Sequence, residues 1–118
     1  MMRSSIPAVS LLALLISACT TTWPVAVISE KGQVLRGTAT AGFGSGSFQV
    51  TDGKLTCAGT YDSLELSLTI SMAVLCNDGR KGIAIVTRES NGQSGAGRVR
   101  LNDGTASDLV FGRAAAAF

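Results

Sequence analysis

The stretch G-S-G-S-F-Q-V-T-D-G-K, Gly44 to Lys54, has a second copy in this chain, G-A-G-R-V-R-L-N-D-G-T, Gly95 to Thr105. Both copies have the form G-x-G-x-Φ-x-Φ-x-D-G, in which Φ is apolar, at an offset of 51 residues. The alternation predicts a strand with one buried face, and the Asp-Gly predicts a tight hairpin turn. A duplicated unit of several strands favours a closed, pseudo-symmetric sheet, because closure leaves no exposed sheet edges.

The clearest alternation runs from Leu64 to Val74, L-E-L-S-L-T-I-S-M-A-V. The large apolar residues all fall on one parity and the four polar residues fall on the other, and Cys76 continues the apolar parity. A period of two is typical of a strand with one buried face. We therefore expect a strand over residues 64–76, with the apolar side chains from Leu64 onward in the core.

Turn signals divide the rest of the chain into further strands. They are Glu30-Lys31-Gly32, Asp52-Gly53, Asp78-Gly79, Asn91-Gly92 and Asp103-Gly104. Between them we expect strands near residues 25–29, 33–41, 46–51, 54–60, 64–76, 82–88, 95–101 and 105–112. Strands joined by hairpins are antiparallel. The predicted fold class is all-β, an antiparallel meander of seven or eight strands that forms a small barrel, with a sandwich as the alternative.

The N-terminal residues have the layout of a secretory signal peptide, with a basic start at Met1-Met2-Arg3 and an apolar run from Ile6 to Ile16. That run is well short of the ~20 residues that a membrane-spanning helix needs. Ile16-Ser17-Ala18-Cys19 resembles the bacterial lipobox. The resemblance implies that the chain is cut before Cys19, and that Cys19 carries acyl chains such as palmitate that anchor the protein in a membrane. Thr20, in place of the Asp that retains lipoproteins in the inner membrane, favours the periplasmic face of the outer membrane.

Cleavage before Cys19 leaves 100 of the 118 residues, which is enough for one domain with a modest core. We expect a signal peptide at residues 1–18, a tether at 19–24, a β-domain at 25–113 and a frayed C-terminal tail at 114–118. The loss of Arg3 leaves nine basic residues against eight acidic ones, with no basic stripe. This balance predicts no nucleic-acid partner.

Two cysteines remain once Cys19 carries lipid. Cys57 and Cys76 form an even pair in an oxidising compartment, which predicts a disulfide. Closing a loop of about 20 residues contributes about 3 kcal/mol in the chain-entropy model. A redox or metal pair is disfavoured, because neither cysteine lies in a C-x-x-C and the chain has no His.

The lack of histidine also removes the commonest general base and the Ser-His and Cys-His nucleophile systems. No carboxylate pair stands out, since turn geometry explains Asp52, Asp78 and Asp103. We therefore expect no catalytic residue, no metal and no cofactor, and a protein that is not an enzyme.

Two segments carry a second resemblance. C-A-G-T-Y-D, Cys57 to Asp62, and C-N-D-G-R-K-G, Cys76 to Gly82, followed by a terminal Asp-Gly and Phe-Gly, resemble a pattern in small envelope lipoproteins of Gram-negative bacteria. The resemblance implies a lipid-anchored protein with a binding or structural role in the periplasm at the outer membrane. It supplies no mechanism. The expected partners are the membrane, through the lipid, and an envelope protein or peptidoglycan.

Four basic residues are candidates for a surface binding face. Arg80 and Lys81 belong to a polar turn beside the cysteine pair. Arg98 and Arg100 alternate with core-facing Val99, so that both face outward. The plainer interpretation is a solvated sheet surface that resists aggregation.

A second functional hypothesis is an inhibitor of lysozyme or of another enzyme that attacks the envelope. Small disulfide-bonded β-barrel lipoproteins that block lysozymes carry a Ser-Gly…Tyr element in a loop near the cysteine pair. The segment from Cys57 to Tyr61, C-A-G-T-Y, resembles that element only in part, because it lacks the Ser.

Overall fold

The computed structural model describes residues 21–118, which form a closed barrel of eight antiparallel strands in chain order. Each strand pairs with the next, and β8 pairs with β1 to close the sheet. The strands are β1 (Thr21–Ser29), β2 (Val34–Ala41), β3 (Gly46–Thr51), β4 (Thr56–Tyr61), β5 (Thr69–Cys76), β6 (Lys81–Arg88), β7 (Ser94–Leu101) and β8 (Ala106–Gly112). A short 3-10 helix, Arg113–Ala117, follows β8. The predicted all-β meander and its closure into a barrel are confirmed, and the structure is not a sandwich.

Residues 1–20 lie outside the described residues, and so do the expected signal peptide, the lipobox and the lipidated Cys19. All three stay predictions. Within residues 21–118, no helix is long and apolar enough to cross a membrane.

The Asp-Gly turns form where the sequence predicts them. Gly53, Gly79 and Gly104 have φ angles of 98°, 90° and 89°, a region that favours glycine over residues with a Cβ. In each turn the preceding Asp side chain accepts a hydrogen bond from a backbone N–H two residues further on. The turns therefore set the register of the hairpins that they join.

The barrel has two unlike ends. The turn end carries the four short connections at residues 30–33, 52–55, 77–80 and 102–105. The loop end carries the start of β1 at Thr21 and the connections at residues 42–45, 62–68 and 89–93. The 3-10 helix also starts at the loop end, because β8 ends there.

Inward-facing side chains fill the barrel with an apolar core. Its buried members come from all eight strands: Val25, Val27, Leu35, Ala39, Phe48, Val50, Cys57, Met72, Val74, Cys76, Ala84, Val86, Val99 and Leu109. Cys57 and Cys76 occupy directly opposed positions on β4 and β5 and form the predicted disulfide. The expectation that both cysteines point into the core is confirmed.

The repeat takes equivalent places in the two halves of the barrel. Its first copy forms β3 and the turn after it, and its second copy forms β7 and the turn after it. β3 and β7 are four strands apart in the closed order of eight, and so stand on opposite sides of the barrel. In the two copies, Phe48 and Val99 are both buried, as the pattern predicts.

One predicted strand is too long. The strand expected from Leu64 begins only at Thr69, so the prediction of a strand over residues 64–68 was wrong. Leu64, Leu66 and Leu68 lie in a loop and are 56%, 95% and 50% exposed. Thr69 pairs with Thr87, the last but one residue of β6, so the barrel offers almost no partner strand beyond it.

Both ends of the β-domain are more ordered than we expect from sequence. β1 begins at Thr21, so that residues 21–24, which we assign to a tether, are strand. The C-terminal residues form the 3-10 helix instead of a frayed tail, and this helix packs against β1 and β8 with Ala115 buried. Arg36 donates a hydrogen bond to the carbonyl oxygen of Phe118 and holds the end of the chain on the barrel wall.

Candidate functional site

A cavity of about 110 Å³ opens inside the barrel at the loop end. We call it the loop-end cavity. Its lining is mostly apolar and comes from inward-facing residues of seven strands and from two loops: Trp23, Val25, Ala39, Ala41, Phe48, Tyr61, Ser63, Ile70, Met72, Val86, Arg88, Gly92, Leu109 and Phe111. An apolar pocket with a few polar groups is the usual form of a small-molecule site.

Aromatic rings form one part of the wall because glycines leave room for them. Tyr61 lies opposite Gly46 across the β3–β4 pair, and Phe111 lies opposite Gly95 across the β7–β8 pair. A Cβ on either glycine would overlap the facing ring. Trp23 meets Phe111 edge to face, with ring centroids 6.5 Å apart. These contacts hold the rings against the barrel wall and keep the cavity open between them.

Arg88 is the charged residue of the cavity lining. It ends β6 on the inward parity, after Ala84 and Val86. Its Nη2 donates to the carbonyl oxygens of Glu65, at 2.9 Å, and of Ser67, both in the loop at residues 62–68. Arg88 thus ties this loop over the loop end, and it brings a positive charge to the cavity.

The Nε of Arg88 is buried and has no hydrogen-bond partner among residues 21–118. None of the ion pairs found in that part of the chain includes Arg88. A buried N–H without an acceptor costs free energy. Arg88 as a whole is partly exposed, and it offers the cavity one unused N–H donor together with a positive charge, which a negatively charged acceptor would match.

Tyr61 brings a hydroxyl group to the cavity wall. Its hydroxyl donates a long hydrogen bond of 3.5 Å to the carbonyl oxygen of Thr40. Burial raises the pKa of Tyr61, and the charge of Arg88 opposes that rise. The phenol is therefore neutral at neutral pH and can act as a hydrogen-bond donor.

The loops around this cavity carry large exposed apolar side chains. Phe43 is 93% exposed in the connection at residues 42–45, and Leu66 is 95% exposed in the connection at residues 62–68. Leu64 and Leu68 lie on that second loop too. We call these four residues the apolar rim. Exposed apolar side chains gathered at one end of a protein mark a contact with a partner or a membrane.

A second cavity, of about 250 Å³, lies at the turn end, and Arg80 is part of its lining. Unlike Arg88, Arg80 is fully paired: its guanidinium binds Asp78 at 2.8 Å and Asp103 at 3.1 Å. Hydrogen bonds from Thr105 and the contact with Arg80 lower the pKa of Asp103 to about 2. Arg80 therefore joins two neighbouring turns, which makes it a structural residue of the turn end.

The other predicted binding residues lie apart from the loop-end cavity. Arg98 faces outward, as expected, and pairs with Asp108 at 3.0 Å and with Glu30 at 3.7 Å. Lys81 and Arg100 are exposed on the outer wall near Ile83, which is 55% exposed. The structure brings Lys81, Arg98 and Arg100 together on one outer surface and places Arg80 at the turn end.

Sequence reasoning missed Arg88, although a signal was present. On β6, Ala84 and Val86 have the parity of the core, and Arg88 continues it. A charged residue that follows the core-facing positions of a strand, at the strand's last residue, indicates a polar group at the open end of a barrel. Tyr61 was noted only as part of the C-A-G-T-Y segment; it lies at the end of β4 and lines the cavity instead of standing on a loop.

Within residues 21–118, no group of three or more Cys, Asp or Glu side chains is placed to hold a metal ion. The three Asp carboxylates of the Asp-Gly turns are each hydrogen-bonded to their own turn. Their positions follow from turn geometry, as the sequence indicates.

Comparison with known proteins shows the fold alone. No protein-family model and no curated protein matches the chain. Among solved structures, a redesigned β-barrel is similar over 82% of this chain and 92% of its own, with 17% identity and a TM-score of 0.58. A second redesigned β-barrel, bound to DFHBI, is 16% identical with a TM-score of 0.57 over 80% of this chain and 94% of its own. A de novo designed fluorescence-activating barrel has a TM-score of 0.54 at 18% identity, over 78% of this chain and 90% of its own.

Proposed function

We propose that this barrel is a lipid-anchored, non-catalytic binding protein of the bacterial envelope, on the periplasmic face of the outer membrane. The observation that carries the proposal is the position of the apolar rim. Its four residues lie at the barrel end where β1 begins, directly after the lipobox-like segment. The anchor and the exposed apolar side chains thus belong to the same end of the molecule.

The distance between anchor and barrel is short. Thr21, the first residue of β1, is two positions after Cys19. Two residues of fully extended chain span at most about 7 Å. An acylated Cys19 would therefore keep the loop end within reach of the lipid headgroups, where Phe43 and Leu66 can enter the interface.

The connections of the turn end hold none of the large apolar side chains that are exposed in residues 21–118. Its connections carry Lys31, Asp52, Lys54, Asp78 and Asp103, all exposed. Charged side chains are costly to bring into lipid, whereas large apolar side chains gain from it. Because Asp62, Glu65 and Glu89 are exposed at the loop end as well, the position of the exposed apolar side chains is what supports an orientation with the loop end on the membrane and the turn end in the periplasm.

Small barrels of this architecture can hold small molecules, as the solved barrel with bound DFHBI illustrates for that protein. In the present chain, the loop-end cavity supports a binding role, and the lack of any His supports a non-catalytic one. Contact of Lys81 and Arg100 with peptidoglycan or an envelope protein stays a prediction.

Metabolic labelling tests the anchor. Cells that express the full chain with radiolabelled palmitate should give a labelled, membrane-bound product, and Cys19→Ala should lose both the label and the membrane association. The double variant Cys57→Ala/Cys76→Ala is the matched control, because it removes cysteines that we assign to the disulfide and should keep the label. If Cys19→Ala retains label at the wild-type level, the proposed anchor is wrong.

A further inference from the structure

We propose that the loop-end cavity binds a small monocarboxylate with an apolar body, whose carboxylate pairs with Arg88 and whose carbon chain or ring lies among Trp23, Tyr61 and Phe111. The inference rests on the binding role proposed above and is independent of the lipid anchor. It assigns that role to one cavity and to one chemical class of ligand.

The charge of Arg88 determines the polar part of the ligand. Its Nη2 is occupied by two loop carbonyl oxygens, and its buried Nε has no acceptor among the described residues. Carbonyl oxygens satisfy hydrogen bonds but leave the positive charge without a counter-charge. A carboxylate supplies both the missing acceptor and the missing charge, and charge-assisted hydrogen bonds of this kind are the stronger ones.

Arg80 is an example in this protein of a guanidinium whose charge is already neutralised by carboxylates. It lines the turn-end cavity, yet Asp78 and Asp103 already neutralise it. An anion that entered that cavity would have to compete with two carboxylates. The same competition is absent at Arg88, so the loop-end cavity is the better anion site although it is the smaller of the two.

The size and lining of the cavity determine the apolar part. About 110 Å³ is somewhat less than the roughly 150 Å³ of a cavity that holds benzene, so the buried part of the ligand is limited to a short chain or a single ring. Ile70, Met72 and Val86 line the cavity without charge. Met72 can adapt its shape to different chains, because its side chain is unbranched.

The chain contains its own reporter for binding. Trp23 is its only tryptophan and lines the cavity. The experiment is a fluorescence titration of unlipidated protein, begun at Thr20, with hexanoate and with its neutral partner hexanamide. Benzoate and benzamide form a second pair with a ring. Acylation of Cys19 does not enter this measurement, so its outcome and that of the palmitate labelling are independent.

We expect saturable binding in which each carboxylate binds about tenfold to a hundredfold more tightly than its amide, the usual range for a hydrogen bond to a charged group. Arg88→Met should abolish this preference, and Arg88→Lys should retain part of it. Arg100→Met is the matched control, because it removes an exposed guanidinium from the outer wall and should leave both affinities unchanged.

Arg88 also holds the loop at residues 62–68, so Arg88→Met can disturb that loop. Ala39→Leu provides a second test that leaves Arg88 in place: it fills the cavity from β2 and should abolish binding of carboxylate and amide alike while thermal unfolding stays cooperative. Equal affinity for the two members of each pair overturns the proposal. So does the lack of saturable carboxylate binding, or unchanged binding in Ala39→Leu.

Discussion

Pairs of a glycine and an aromatic residue shape the interior of this barrel. On neighbouring strands, each glycine leaves space that the ring opposite it occupies. The pairs are Gly46 with Tyr61, Gly59 with Phe48, and Gly95 with Phe111. The ring shields the backbone at the glycine, which has no side chain of its own to do so. The missing Cβ also lets the sheet bend at that position. All three rings line the loop-end cavity, so the same pairing that curves the sheet also builds the site.

Gly37 on β2 has a different reason to lack a side chain. An added Cβ would overlap the carbonyl oxygen of Gln49, which is backbone of β3 and cannot rotate away. We therefore expect Gly37→Ala to lower the free energy of unfolding by at least about 2 kcal/mol, within the usual cost of overpacking. Urea denaturation of both proteins measures the difference.

Thr38→Ala is the control for this change, because Thr38 is the next residue on β2 and its side chain is exposed on the outer wall. We expect it to alter the free energy of unfolding by no more than about 0.5 kcal/mol. Equal effects of the two substitutions would show that β2 and β3 are not in the close contact described here.

At the scale of elements, one alternating sequence pattern forms both a loop and the strand β5 that follows it. Residues 64–72 alternate strictly and the apolar parity continues to Cys76, yet only Thr69–Cys76 is strand. An extended segment needs hydrogen-bond partners on a neighbouring strand. β6 ends at Arg88, whose backbone N–H donates a hydrogen bond to the carbonyl oxygen of Leu68 and closes the ladder. The remaining leucines turn outward and become part of the apolar rim.

The loops that carry this rim should bind lipid even without an anchor. We expect unlipidated protein to sediment with phospholipid vesicles, and Phe43→Ser/Leu66→Ser to weaken this association about tenfold or more. The reason is that burial of a large apolar side chain contributes roughly 1.5–3 kcal/mol, and each substitution removes one that is almost fully exposed in solution. Co-sedimentation over a range of lipid concentrations gives the partition coefficients.

The matched control for the rim is Ile83→Ser/Ile85→Ser, because these exposed apolar side chains lie on the outer wall of β6 and not at the loop end. This double variant should associate with vesicles as the wild type does. Equal loss of association in both double variants would mean that lipid contacts the barrel without the orientation we propose.

At the scale of the whole molecule, the duplication gives the two halves similar turn chemistry. Asp52 and Asp103 occupy matching positions of the repeat, and each accepts hydrogen bonds from its own turn. Backbone bonds from Lys54 and Leu55 lower the pKa of Asp52 to about 2. The bonds from Thr105 lower the pKa of Asp103 to about 2 as well. Both hairpins therefore depend on an ionised carboxylate.

This dependence predicts how stability varies with pH. A carboxyl group whose pKa is lower in the folded chain stabilises that chain above its unfolded pKa, here about 3.8. The stabilisation is lost as the pH falls from about 4 towards 2, where the folded groups take up protons. We expect the wild-type melting temperature to fall steeply across that range and the melting temperature of Asp52→Asn/Asp103→Asn to fall less. Scanning calorimetry at several pH values measures both slopes, and parallel slopes would contradict the role of these carboxylates.

Local patterns in the sequence are sufficient for most of the architecture. Alternation has a period of two, and Asp-Gly and Asn-Gly favour positive φ angles, so strands, turns and antiparallel order can be predicted from neighbours along the chain. The repeat adds closure, and the even count of Cys57 and Cys76 adds the disulfide. Each of these inferences depends on interactions within a hairpin or between two adjacent strands.

Only the tertiary structure decided which part of the alternating segment forms a strand and which end of the barrel holds the candidate site. Leu66 alternates like a core residue, but it has no partner strand and is exposed. In the sequence, Arg88 has the position of a polar residue at the end of a strand. Its Nε is buried because the cavity lining around it includes residues distant in sequence, such as Trp23 and Phe111. Burial depends on what closure brings together over long sequence separations, and a local pattern does not contain that information.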